Sequence, residues 1–503
     1  MHSDSTSPTR PPWVLLGFLI LIGITTLAVC TRHNSFPYTY HPDEDTKVRQ
    51  IVSGKRNFFH PLLLLTTTST IYHSGLVVKN PMNAAVAGRW VSAFFTALTV
   101  VALTLLAWRW GGWFSAIGTA ALLLVNPLGF ELAHYIKEDP ALLFGLALTF
   151  LAMDFFWKKP VAGTAVFLGI ATALAISGKY LGAVILVFAL PLLIIRVRQN
   201  NVRLALWFVL GFVLTIVVAN FPLLRHLTDF SHGLGREMAG ATGGHRGLER
   251  EIPHAYYLEK MLEITPLAVW LGVGLTLVAV AWRWRQFSAV QILTLLFPFV
   301  FLGMLSFSPK TATRYVLPAT MLISFLAGVA PGLLLRANLP KIPTLFLLVT
   351  SSLTIGAGVL TNWPLYQNLR ADFSTDARDG LRKWIAENTN TSAVIAQDER
   401  VDLLANPAWK SREVITAEFA ADLGSLEDLR SRKIDYVAVT RQSYNRFLKG
   451  TYKPKAKEKA DFNRRAEFYR ELFATGKPVW ESTVGQIIYL HPGIRLYHIV
   501  PNP

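Results

Sequence analysis

Apolar runs constrain this chain more than any other feature. Segments such as 13–30, 84–107 and 342–361 carry almost no charge. Each reaches about 20 residues, the length that crosses roughly 30 Å of hydrocarbon. With 52% hydrophobic and only 16% charged residues in 503, the composition is not that of a water-soluble globule. The expected fold is a polytopic α-helical membrane protein.

Further apolar segments fall near 113–131, 140–157, 161–177, 180–195, 203–222, 264–282, 287–306 and 315–335, for a total of about eleven spans. Basic residues set the orientation. With a cytoplasmic N-terminus, the inside loops hold Arg109, Lys158, Lys159, Arg196, Arg198, Arg203, Arg283, Arg285, Arg336 and Lys341, and no acid. An odd span count then leaves the C-terminus outside. The formal charge of +17 is therefore read as topology and headgroup attraction, and a nucleic-acid partner is not expected.

The domain reading has three parts. Residues 1–11 are a polar, disordered cytoplasmic tail. Residues 12–362 form the membrane domain, with long outer loops at 31–82 and 223–262. Residues 363–503 form a small extracytoplasmic α/β domain. In that last part, helical spacing over 376–388, 423–432 and 456–474 alternates with β-branched runs at 393–396, 414–416, 436–440, 486–490 and 495–500. The single cysteine, Cys30, rules out an intrachain disulfide. Residues 27–30 faintly resemble a lipoprotein cleavage box, but Val29 is bulky where a small residue is needed, so the first helix is read as retained.

All concentrated polar chemistry falls on the outer side. Tyr40-His41-Pro42-Asp43-Glu44-Asp45 follows the first span and opens a short helix over 43–52, with Pro42 suited to its first turn. A second element over 58–72 is too threonine-rich for a span and is placed in the interface. A carboxylate beside hydrocarbon tends to have a raised pKa, which suits a general base; the plainer reading is a solvated helix cap. The loop holding Glu131, His134, Tyr135, Lys137, Glu138 and Asp139 is dense in ionisable groups, of which capping accounts only for Asp139 before Pro140. Lys179 stands between two apolar segments, where it either snorkels or holds an anionic headgroup. Ser308-Pro309-Lys310-Thr311-Ala312-Thr313-Arg314-Tyr315 runs against the positive-inside trend and could grip a phosphate. The 223–262 loop, rich in glycine and histidine, reads as a mobile lid. No specific metal signature is present, although Asp43 and Glu44 with Glu138 and Asp139 could hold a divalent cation.

The order of these parts resembles the GT-C superfold of lipid-carrier-dependent glycosyltransferases. The branch it is most similar to holds bacterial relatives of protein O-mannosyltransferases and of aminoarabinose transferases. The resemblance rests on His41-Pro42-Asp43-Glu44, Gly88-Arg89-Trp90, His134-Tyr135 with Glu138-Asp139-Pro140, Gly178-Lys179-Tyr180 and Arg314-Tyr315-Val316-Leu317-Pro318, and covers residues 12 to about 335. It implies a membrane enzyme of the cell envelope, in a bacterial inner membrane. Its donor would be a sugar on polyprenyl phosphate, and its acceptor an extracytoplasmic lipid, glycan or protein. Asp43 would be the base with Glu44 beside it. His134, Lys137, Lys179, Arg314 and Tyr315 would meet the carrier phosphate, and Glu138 and Asp139 would form a second acidic loop. The third acid, Asp45, leaves the identity of the base open. The alternative is a transporter or flippase for a lipid-linked or anionic substrate, which should show polar, broken midplane helices and matching halves.

Overall fold

A computed structural model describes residues 12–243, 248–249, 254–282, 284–337, 340–409, 411–450 and 453–499. The expected tail, 1–11, lies outside these residues, as do Gly244, His245 and Gly247 of the glycine-rich loop. The chain divides into two compact units: one of residues 1–34, 47–239 and 253–366, the other of residues 35–46, 240–252 and 367–503.

The helices in chain order are α1 (Pro12–Cys30), α2 (Pro42–Ser53), α3 (Leu63–His73), α4 (Pro81–Leu124), α5 (Pro127–Ala133), α6 (Glu138–Lys158), α7 (Ala162–Gly178), α8 (Leu186–Gln199), α9 (Arg203–Ala219) and α10 (Leu227–Gly243). They continue with α11 (Tyr256–Ile264), α12 (Leu267–Trp282), α13 (Ala289–Leu305), α14 (Leu317–Arg336) and α15 (Lys341–Phe373). Among the described residues, six helices are long and apolar enough to cross a membrane, or seven if the bent pair α11 and α12 is one span. Helix is found in every segment expected to span, yet eleven spans do not follow from helix length. One reason is that α4 runs for 44 residues, ~66 Å, through both expected segments 84–107 and 113–131. It is broken at Gly112, whose φ of 71° cannot continue a right-handed helix. The other is that α7, α9 and α13 have only 17 residues each, the lower edge for a span.

The core of this unit is aliphatic and aromatic, with α6 enclosed by α4, α7 and α14. Helix contact is closest where a small residue removes the side chain. A Cβ on Gly145 would lie 2.2 Å from the backbone nitrogen of Ala175, so α6 and α7 can approach this closely only with glycine there.

One expectation needs correction here. Residues 227–243 form a regular helix rather than a loose lid loop. Leu227, Phe230 and Leu234 recur at helical spacing, and Phe230 packs edge-on against Phe58 with ring centroids 6.3 Å apart. Gly233 is used for packing rather than freedom, because a Cβ there would sit 2.7 Å from the Asn57 carbonyl oxygen.

The second unit contains α16 (Ala377–Asn388), α17 (Leu426–Ser431), α18 (Arg441–Leu448) and α19 (Lys459–Thr475). Its strands are β1 (Leu248–Glu249), β2 (Ile395–Asp398), β3 (Val414–Ala417), β4 (Tyr436–Thr440), β5 (Lys453–Pro454), β6 (Lys477–Glu481) and β7 (Ile494–His498). The main sheet has the order β3-β2-β4-β7-β6; β2 pairs parallel with β3 and β4, while β7 is antiparallel to β4 and β6. The period-two alternation of a strand sends Ala396, Val437 and Val439 to a core with α17, α18 and α19. Ile395, Ala438 and Leu496 face Leu381 and Ile385 of α16 on the other side. Asp398, fully buried at the end of β2, accepts from the Ala420 and Thr440 amides at 2.7 and 2.8 Å and from the Tyr469 hydroxyl at 2.9 Å. Burial outweighs these donors and raises its pKa to about 6.

The expected strand at 486–490 is absent, and 477–481 pairs in its place. The Ile487 amide donates to Asp372 Oδ2 at 2.9 Å and the Leu490 carbonyl accepts from the Ala377 amide, so this run spends its backbone groups on turns.

Candidate active site

The acidic stretch after α1 belongs to the second unit, which anchors it through Tyr40. The Tyr40 hydroxyl donates to Asp376 Oδ2 at 2.6 Å, and the Arg378 guanidinium lies 3.7 Å from the centre of its ring. Arg382 Nη2 donates to the same hydroxyl oxygen at 3.4 Å, and Thr39 Oγ1 donates to Asp402 Oδ2 at 2.8 Å. Burial raises the Tyr40 pKa further from neutrality, so the hydroxyl stays a donor. Asp376 in turn N-caps α16 by accepting from the Arg378 amide at 2.9 Å.

From this anchor the chain enters α2, with Asp43, Glu44 and Asp45 in the first turn, where a helix N-terminus favours carboxylates. His41 acts as the cap: its Nδ1 accepts from the Asp43 amide at 3.1 Å, which leaves Nε2 as the protonated nitrogen of the neutral ring. Glu44 is fully buried and Asp43 half-buried.

In the membrane unit the other expected residues gather around the N-terminus of α6. Lys47 Nζ donates to Glu138 Oε2 at 2.7 Å and to the Ile136 carbonyl at 2.6 Å. Lys179 Nζ donates to Asp139 Oδ1 at 2.8 Å and sits 4.4 Å from the centre of the Tyr315 ring. Arg314 also acts electrostatically on Asp139, and Lys137 on both carboxylates. Four cations thus act on two buried carboxylates, and Lys137 acts on the buried Glu131 as well. Burial opposes the charge on Lys179, but the Asp139 carboxylate outweighs it and holds the pKa above the usual lysine value.

His134 is placed differently. It is buried, its Nδ1 pairs with the Phe130 carbonyl at 2.8 Å, and burial lowers its pKa to about 4. At pH 7 the ring is neutral, and the Phe130 carbonyl takes the N–H of Nδ1, so His134 contributes no positive charge. Lys310 of the expected phosphate-gripping loop is paired with Glu237 at 2.9 Å. Among the described residues no three His, Cys, Asp or Glu side chains cluster as metal ligands would, and Glu138 and Asp139 each already face an ammonium group. This donor set does not fit a divalent cation.

Sequence reasoning missed Lys47, His60 and Glu237. Lys47 left a trace, a base one helical turn after Asp43. His60, whose pKa burial lowers and whose ring senses Glu138, Lys47, Lys179 and Glu237, left none.

Residues 68–228 match the family of dolichyl-phosphate-mannose-protein mannosyltransferases. The structure of ArnT from Cupriavidus metallidurans in the apo state is similar over 97% of this chain and 99% of its own, at 14% identity and a TM-score of 0.51. ArnT bound to undecaprenyl phosphate is similar over 98% and 99%, at 14% identity and a TM-score of 0.50. An Archaeoglobus fulgidus oligosaccharyltransferase, solved with Zn and sulfate, is similar over 93% of this chain and 72% of its own, at 12% identity and a TM-score of 0.51. No curated protein matches the sequence. The chain is an integral membrane protein with the GT-C fold of ArnT.

Proposed function

We propose that this protein moves a sugar from a polyprenyl-phosphate carrier to an extracytoplasmic acceptor, with inversion at the sugar carbon. The observation that carries the reading is the gathering of Lys47, Lys137, Lys179 and Arg314 at the N-terminal end of α6 on a GT-C fold. In a single displacement, the acceptor's oxygen or nitrogen bonds to the anomeric carbon as the bond from that carbon to the phosphate oxygen breaks. The acceptor proton passes to Asp43, with Glu44 bracing the first turn of α2 or replacing Asp43 as base. Polyprenyl phosphate leaves.

The phosphate goes from a diester with one negative charge to a monoester with up to two. Cations that meet it are therefore worth more in the transition state than in the ground state. Lys179, Lys137 and Arg314 serve that role, with Tyr315 holding Lys179 in place and His134 bound to the backbone beside them. An apolar groove of ≈ 560 Å³ lined by Leu63, Ile71, Val166, Leu174, Leu210 and Leu214 supports a seat for part of the isoprenoid tail. ArnT bound to undecaprenyl phosphate supports the same donor class. The eleven-span topology, with an inside N-terminus and the second unit outside in a bacterial inner membrane, belongs to this reading.

The test uses the purified full chain in detergent, a panel of radiolabelled polyprenyl-phosphate sugars and membrane extract as acceptor. Label transfer is expected, with Asp43→Asn lowering it ~10²–10⁴-fold while the protein stays folded. Undiminished transfer in both Asp43→Asn and Glu44→Gln removes this stretch as the source of the base. No transfer from any donor moves the reading to a transporter.

A further inference from the structure

A second charged constellation lies at the other end of α6. Asp154 stands ~22 Å along this helix from Asp139, most of a hydrocarbon thickness away. It is one of the residues lining a pocket of ≈ 340 Å³ whose wall also holds Arg109, Lys158 and Arg336. Among the described residues Asp154 is the one acid in that wall, and it is already engaged. It accepts from Arg109 Nε at 2.5 Å, from Trp110 Nε1 at 3.1 Å and from Lys158 Nζ at 3.1 Å, while being only 2% exposed.

Arg109 is further fixed by Phe155, whose ring centre lies 3.9 Å from its guanidinium carbon. Arg336 donates to the Arg109 carbonyl at 3.4 Å, and among the described residues no carboxylate lies within ion-pair distance of it. Three cations thus line the pocket, and two of them share its carboxylate. The opposite wall is polar as well: Ser288 and Gln291 form a capping box at the start of α13, which adds the positive end of a 17-residue helix. The rim is wet, with the Lys158 side chain 50% exposed.

We infer that this pocket binds a phosphate group. Arg336 and Lys158 supply the unmatched charge, and Arg109 is oriented by Asp154 to present its fork. The site is separate from the one at the N-terminus of α6. The same chemistry could arrive from two sources, the phosphodiester of an anionic lipid headgroup at the membrane boundary or a free phosphate ion from solution.

The full chain in neutral detergent is followed by thermal unfolding at constant ionic strength. The titrants are dioctanoyl-phosphatidylglycerol, dioctanoyl-phosphatidylcholine and inorganic phosphate. A saturable rise in midpoint with phosphatidylglycerol but not with phosphatidylcholine is expected, since binding to the folded state stabilises it by mass action. A rise with phosphatidylglycerol alone identifies the lipid source, and an equal rise with inorganic phosphate identifies the free ion. Arg336→Gln should weaken the apparent affinity about tenfold, and Lys158→Gln should do the same. No saturable rise with either anion overturns the inference, as does an unchanged affinity in both variants.

Discussion

The two ends of α6 solve the same electrostatic problem in opposite ways. At the N-terminal end each carboxylate meets its own lysine, and the Lys47 and Glu138 side chains are only 6% and 5% exposed. At the C-terminal end one carboxylate is shared by two cations and an indole, and one of those cations, Lys158, is 50% exposed. A buried pair makes both partners obligatory, because removing either strands a charge away from water. A wet cluster can lose a member and let solvent replace it.

The largest effect should come from breaking the dry end. Lys47→Met leaves Glu138 buried without its ammonium and should cost about 3–5 kcal/mol in denaturant unfolding in detergent. Lys47→Met with Glu138→Leu should recover most of that loss while abolishing neither partner's packing volume. A single variant as stable as the native chain would make the two ends equivalent.

Asp398 sharpens the contrast from a third direction, as a buried carboxylate held by N–H and O–H donors with no cation hydrogen-bonded to it. Its folded pKa of about 6 lies above the ordinary 3.8, so the folded state holds the proton more tightly than the unfolded one. The resulting stability is in place below pH ~4 and is lost as pH rises through 6, on the order of 3 kcal/mol in all. The difference in unfolding free energy between native protein and Asp398→Asn should therefore change between pH 4.5 and 7. Parallel pH profiles would show that Asp398 folds as the anion.

Smaller effects belong to the wet end. Asp154→Asn keeps an acceptor for Arg109 and Trp110 but loses the charge, and should cost about 1–3 kcal/mol. Lys158→Gln, measured without added anions, should cost less than about 1 kcal/mol. A larger loss for Lys158→Gln than for Asp154→Asn would reverse the order that solvent exposure sets.

Much of this was legible in the sequence where the cause is local. Pro42 followed by three acids marks the start of α2, and apolar runs mark the membrane helices. The clustering of His134, Lys137, Glu138 and Asp139 marks the dense end of α6. What the sequence could not supply were partners. Lys47 meets Glu138 across 91 residues, and Tyr40 meets Asp376 across 336. The glycines of 223–262 looked like freedom, yet Gly233 serves close contact with Asn57 and Phe58. The run at 486–490 has strand composition, but Asp372 and Ala377 claim its backbone groups first.

Tyr40 carries a consequence for how such a chain can be cut and exchanged. Its stacking on Arg378 and its bond to Asp376 make residues 35–46 part of the same compact body as residues 367–503, although more than three hundred residues separate them in sequence. A chimera that swapped only the C-terminal portion with a relative's would leave the first-loop acids attached to a foreign surface. The two stretches form one heritable module, and an exchange that preserves it must carry both.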